Sequence, residues 1–174
     1  MTIIFDGREF AKKKEALLRN KVTNLLVHKV RPKLVSILVG DDPASVLYVS
    51  LKKKAAERIG AELEIRRWKS EVGYRSLIEE IRGLNKDKKV HGIMVQLPLP
   101  KKLVNYKLSI INSIAPEKDV DGLREDSQFL PATVKAILQI LDEILYLSMI
   151  AQLSFSNQLL KMVFLFLDYM NHRM

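Results

Sequence analysis

The chain has 174 residues, 48% of them hydrophobic and 28% charged, with a net charge of +9 and no cysteine. About one domain's length at near-average composition excludes wholesale disorder, a collagen-like chain and a multi-span membrane protein. Lack of cysteine excludes a disulfide scaffold, thiolate zinc sites and a cysteine nucleophile, and no secretory n-region or h-region at Met1 makes a cytoplasmic location the expectation.

Asp6 caps a predicted helix from Gly7 to Val30, in which Phe10, Leu17, Leu18, Leu25 and Leu26 keep partial helical spacing and which Pro32 stops. Leu34 to Val39 is a short apolar run closed by Gly40-Asp41-Asp42-Pro43, a buried strand and its turn. A helix from about Ala44 to Ile59 ends on Gly60, where a left-handed residue commonly terminates helices. Glu62 to Trp68 alternates like a half-exposed strand, Tyr74 to Asn85 reads as a helix, and Val90 to Gln96 is a strand stopped by Pro98 and Pro100. Strands separated by single helices predict an α/β fold, a three-layer α/β/α domain with a mainly parallel sheet. Such sheets bind ligands outside the carboxyl ends of their strands, which here are Gly40 to Lys54 and Gln96 with the prolines after it.

All seven glycines and all six prolines precede Ile144. The residues after it are strongly hydrophobic, but their longest apolar run, Met162 to Leu167, is far shorter than the roughly 20 residues of a membrane span. Ser154, Asn157, Gln158, Lys161 and Asp168 recur at steps that draw a polar stripe on a helix. An extra C-terminal hydrophobic helix is therefore expected, laying its apolar side on the domain or serving as a partner-binding or oligomer helix. The abrupt change of composition also suits a truncated or frameshifted chain.

The positive balance suits acidic partners. The lysines fall in separate clusters (Lys12 to Lys14, Lys52 to Lys54, Lys86 to Lys89, Lys101–Lys102) without interleaved aromatics, and no zinc-finger, basic-zipper or RNA-recognition signature is present. Solvated helix faces explain that charge better than a nucleic-acid partner. His28, His91 and His172 are far apart and form no metal-ligand pair.

The chemistry-bearing residues gather at the carboxyl ends. Tyr48 and Lys52 stand at i and i+4 on one helical face, with Ser45 a turn earlier. An amine beside an aromatic ring can move protons next to a stacked planar substrate. Gln96, at a strand end, offers a donor and an acceptor that could hold that amine without adding charge. The bland alternative is a surface ring packed on a lysine stem. Tyr-x-x-x-Lys also occurs in short-chain dehydrogenases, but Gly40-Asp41-Asp42-Pro43 sets one glycine and two acids where their pyrophosphate turn belongs. Ala115 to Gly122 packs three acids and a base into a loop, either an Asx-type turn or a carboxylate aimed at a heterocycle with adjacent donors.

Taken together, GDDPASVLYVSLKKKAAERIG (Gly40 to Gly60), VHGIMVQLPLP (Val90 to Pro100) and IAPEKDVDG (Ile114 to Gly122) resemble the methylenetetrahydrofolate dehydrogenase/cyclohydrolase family over about Ile3 to Leu141. The resemblance implies that residues 1–143 form the folate-binding catalytic domain, whereas 144–174 match nothing in the family and read as an atypical helical tail. It implies Lys52 as principal catalytic residue with Gln96 tuning its protonation, Tyr48 stacked on the pterin or aminobenzoyl part and Asp121 bonded to the pterin. Val95, Leu97 and Pro98 would line the slot, and Ser45 would be a further contact. It also implies a tetrahydrofolate derivative as substrate, in some forms polyglutamylated, which would suit the basic surface.

The family oxidises methylenetetrahydrofolate with NAD(P) and hydrolyses the methenyl product to formyltetrahydrofolate. No glycine follows Gly122, so no phosphate-cradling turn can be built from later residues. No nicotinamide cofactor is expected on this chain, and dehydrogenation by it alone is disfavoured. Two expectations follow, a weak cyclohydrolase or a non-catalytic remnant that binds folate or forms a homodimer. Pro131-Ala132-Thr133-Val134 stands where the family carries Pro-Cys-Thr-Pro, and the connection from Asp121 to Pro131 is shorter than usual.

Overall fold

A computed structural model describes residues 5–150, with side chains to 145. The architecture is α/β around a three-stranded parallel sheet. The elements are α1 (Gly7–Val27), β1 (Lys33–Val39), α2 (Pro43–Ile59), β2 (Glu62–Trp68), α3 (Tyr74–Lys86), β3 (Gly92–Val95), α4 (Lys107–Ile111) and α5 (Ala132–Ile150). Short 3-10 turns cover Lys101–Tyr106 and Pro116–Lys118. The chain divides into two compact units, Met1–Phe129 and Leu130–Met174.

In the first unit the strand order is β2-β1-β3, with Lys33 opposite Glu62 and Leu34 opposite Gly92. The central strand is buried on both faces, as a parallel sheet covered by crossover helices requires. Side chains alternate across it. Val35, Ile37 and Val39 join Ile93, Val95 and the α3 residues Leu77, Ile81 and Leu84 in one apolar cluster. Leu34 and Leu38 turn the other way, to Leu63, Ile65 and the α2 residues Val46, Val49 and Ala56.

The helix ends follow their sequence signals closely. The Asp6 carboxylate accepts from the amides of Arg8 and Glu9 at 2.9 and 3.1 Å, satisfying donors that a first turn leaves unpaired. Gly60 closes α2 at φ +84°, a conformation that costs other residues a steric clash. α1 stops at Val27, earlier than the expected Val30, because Lys29 itself turns left-handed at φ 59°. The Lys29 and Val30 amides then bond back to Leu26 and Leu25. Only Val22 of α1 is fully buried, and Leu17, Leu18, Leu25 and Leu26 stay partly exposed. β3 is shorter than Val90 to Gln96, although the His91 and Gln96 amides still bond to Lys33 and Ile37 of β1.

Lys118 caps α3 from a distance. Its ammonium donates to the carbonyls of Leu84, Asn85 and Asp87 at 2.8 to 2.9 Å, a cation at the negative end of the helix dipole. In the second unit, α5 begins directly after Pro131 and runs through Ile144. The tail helix expected beyond it lies, from residue 151 on, outside the described residues. Among the described residues no helix is long and apolar enough to cross a membrane.

Candidate functional site

The site is assembled by strand alternation and one helix cap. Asp42 opens α2, with Pro43 in the first turn where a missing amide hydrogen costs nothing. Its carboxylate accepts from the Ser45 amide at 2.8 Å. That backbone hydrogen bond holds the Asp42 carboxyl below its ordinary value. The cap fixes the first turn, and the helix carries Tyr48 and Lys52 onward from it.

β3 ends beside α2. Met94 and Gln96 are even-numbered like Leu38, and they face α2 while Val95 faces α3. Lys52 Nζ lies 3.3 Å from Gln96 Oε1 and 3.6 Å from Met94 Sδ. Gln96 Nε2 donates to the Leu97 carbonyl at 2.7 Å. These two contacts fix which way the amide points. Reversed, it would set two donors against each other at Lys52 and two acceptors at Leu97. The same Leu97 carbonyl accepts from the buried Ser45 hydroxyl at 3.4 Å, so it ties the first turn of α2 to the end of β3. The Leu97–Pro98 peptide is cis.

Ser45, Lys52, Gln96 and the Leu97 backbone are thus brought together. The other expected residues stand apart from that contact. Tyr48 is 59% exposed on the helix face leading to Lys52. Val95 is buried, its side chain in the α3-side cluster with Ile37 and Ile93. Leu97 packs its side chain against that cluster, and Pro98 is exposed. A shallow concavity of about 470 Å³ is lined by Leu97, Pro98, Leu99, Val104 and Lys107. Asp121 is half-buried in the turn after Lys118 and bonds to no described side chain. Two further concavities, beside Trp68 and beside Arg67, do not include Lys52.

Sequence reasoning missed Met94, Asp42, Asp119 and Arg124. Two could have been found, since Met94 stands two residues before Gln96 on the same strand face and Asp-Pro-x-Ser is a helix-start signal. Arg124 gave no such signal. Its guanidinium pairs with Asp126 at 2.7 Å and donates to the Asn112 and Ile114 carbonyls, and Asp126 raises its already high pKa. Among the described residues no group of three or more His, Asp or Glu side chains could hold a metal.

A parallel α/β unit that brings a helix-borne lysine to a strand-end glutamine has its polar cluster at the carboxyl edge of the sheet, where proteins of this class commonly bind small molecules. Residues 5–121 match the tetrahydrofolate dehydrogenase/cyclohydrolase catalytic domain, and the chain belongs to that family. Its curated relatives include the bifunctional protein FolD of Exiguobacterium sibiricum, 41% identical over 152 residues, and that of Methanosarcina barkeri, 41% identical over 150 residues. The matches cover 82% and 80% of this chain but 54% and 52% of those proteins, so it spans about half their length. Among solved structures, the bifunctional FolD enzyme of Campylobacter jejuni superposes with a TM-score of 0.75 at 34% identity, over 80% of this chain and 52% of that one. The Trypanosoma brucei enzyme, solved with NADP and an inhibitor, gives a TM-score of 0.73 at 30% identity, over 81% and 51%. The chain is thereby related to the catalytic domain of enzymes of one-carbon folate metabolism.

Proposed function

We propose that this chain binds a reduced folate across α2 and the end of β3, and that Lys52 promotes hydrolysis of methenyltetrahydrofolate to the formyl form. The Lys52–Gln96 contact at 3.3 Å carries the proposal. Hydrolysis needs water to add to a cationic amidine-like carbon with release of one proton to solvent, the other proton to pass from that oxygen to one ring nitrogen, and the bond to that nitrogen to break. A side-chain amine held by a neutral amide can relay that proton from the water to the departing nitrogen. Gln96 orients the amine, and Tyr48 supplies a flat apolar surface for the pterin or aminobenzoyl part. Asp121 would accept from the donors on the pterin edge. Leu97 and Pro98 form the rim, with Val95 supporting them from the core and Ser45 holding the Leu97 carbonyl.

Methylene oxidation also requires a hydride acceptor, a role the nicotinamide cofactor fills in the family. A pyrophosphate turn needs glycine, and none occurs in residues 123–174, so that step is not assigned to these residues. We further propose a division of labour between residues 1–143 as folate-binding domain and 144–174 as tail.

The test is the decay of methenyltetrahydrofolate absorbance with the full chain and with Lys52→Met. Faster decay with the unaltered chain supports catalysis. A second function, folate binding without turnover, is favoured by the open setting of Tyr48, 59% exposed, since water exclusion strengthens active-site electrostatics. Equal decay rates together with measurable folate binding would establish that alternative.

A further inference from the structure

Asp119 is fully buried, and the chemistry above does not use it. Its Oδ2 accepts from the Arg124 amide at 3.0 Å, while Oδ1 has no partner among the described residues. Its carbonyl accepts from the Gly122 amide and the Ser127 hydroxyl at 3.1 and 3.2 Å. Asp119 therefore closes from inside the turn that carries Asp121. Burying a carboxylate with one oxygen unmatched is costly, and a turn alone does not require it.

A second observation concerns the strand beside this turn. Asp119 bridges in parallel to Ile93 of β3, and the next residue, Val120, packs over Gly92. A Cβ on Gly92 would lie 2.7 Å from Val120 Cγ1 and 3.1 Å from Cγ2, with Leu34 Cδ1 at 3.3 Å behind it. Unstrained carbon contacts lie near 3.5–4.0 Å, and a β-branched side chain has little freedom to turn away. Any side chain at position 92 must push the Asp119–Asp121 segment off the strand whose end presents Gln96 to Lys52.

We propose that Gly92 and Asp119 are positioning residues that set how closely the Asp121 carboxylate approaches the end of β3, and hence the fit of a pterin ring. This rests on the reduced-folate function proposed above. The experiment is calorimetric titration of the full 174-residue chain with tetrahydrofolate, each variant first shown by circular dichroism to be folded at the titration temperature. Gly92→Ala is expected to bind about ten-fold more weakly, equivalent to about 1.4 kcal/mol. Adding Val120→Ala removes both colliding methyls and should restore affinity to within about three-fold, a coupling that general destabilisation would not produce. Asp119→Ala should weaken binding about ten-fold, whereas Asp119→Asn keeps an acceptor for the Arg124 amide and should stay within about three-fold.

Tight binding by folded Gly92→Ala, or a double variant no better than the single one, overturns the proposal. If neither Gly92 variant folds, Asp119→Ala decides, and unchanged affinity there overturns it equally. A wild-type chain that gives no heat instead overturns the reduced-folate function itself, and this inference with it.

Discussion

On the face of the sheet that α3 covers, Val35, Ile37, Val39, Ile93 and Val95 meet Leu77, Ile81 and Leu84 as continuous apolar core. On the face that α2 covers, Leu34 and Leu38 begin the same way, but Met94 and Gln96 then meet Lys52, with buried Ser45 alongside. Both faces belong to the same strands, and the two-residue period alone separates them. With the proposed function, stability and chemistry fall on opposite sides of one backbone, so substitutions should be able to damage either without the other.

Lys52→Met should give the largest effect, lowering the catalysed rate of methenyltetrahydrofolate hydrolysis by about 10²–10⁴-fold with little change in thermal midpoint. Ile81→Ala should do the reverse. Deleting a fully buried side chain costs about 2–5 kcal/mol, read as a lower denaturant midpoint, while hydrolysis per folded molecule stays near wild type. A large activity loss in folded Ile81→Ala would break the separation of the two faces. Gln96→Leu removes both the acceptor facing Lys52 and the donor to Leu97. A roughly ten-fold slower hydrolysis is expected, matching the ~1 to 1.5 kcal/mol net worth of a side-chain hydrogen bond.

The smallest effect concerns acid. The Ser45 amide holds the Asp42 carboxyl below its ordinary 3.8, so the folded pKa lies under the unfolded one. The stabilisation is therefore present above pH 3.8 and is lost as pH falls through the lower, folded value. Asp42→Asn keeps an acceptor without a titrating group. Its thermal midpoint should fall less than that of the wild type across this acid window, and parallel curves would show that the cap does not matter there.

The order of helices and strands was legible because glycine, proline and alternation punctuate this chain sharply. Strand β2 falls on Glu62–Trp68 and the Gly60 stop on α2 is left-handed, both as expected. The α1 terminus was not legible, because a lysine rather than a glycine takes the left-handed position there. Nor were the Lys101–Tyr106 turn and α4, although Leu103 and Ile110 enter the core, since segments so short show no periodicity.

At the site, the Lys52–Gln96 contact was legible because α2 and the end of β3 both lie at the carboxyl edge of the parallel sheet. The burial of Val95 in the opposite core depends on strand register. The bonds of Lys118 reach back to the end of α3, far away in sequence, and local patterns carry no trace of them.

Hydrogen–deuterium exchange of the intact chain with and without tetrahydrofolate addresses the comparison most directly, because protection reports local opening residue by residue. Ligand-dependent slowing is predicted in residues 42–54 and 95–98, with α3 unchanged. Slowing confined to α3, or no change anywhere at saturating ligand, would contradict the assignment of folate chemistry to the α2 face.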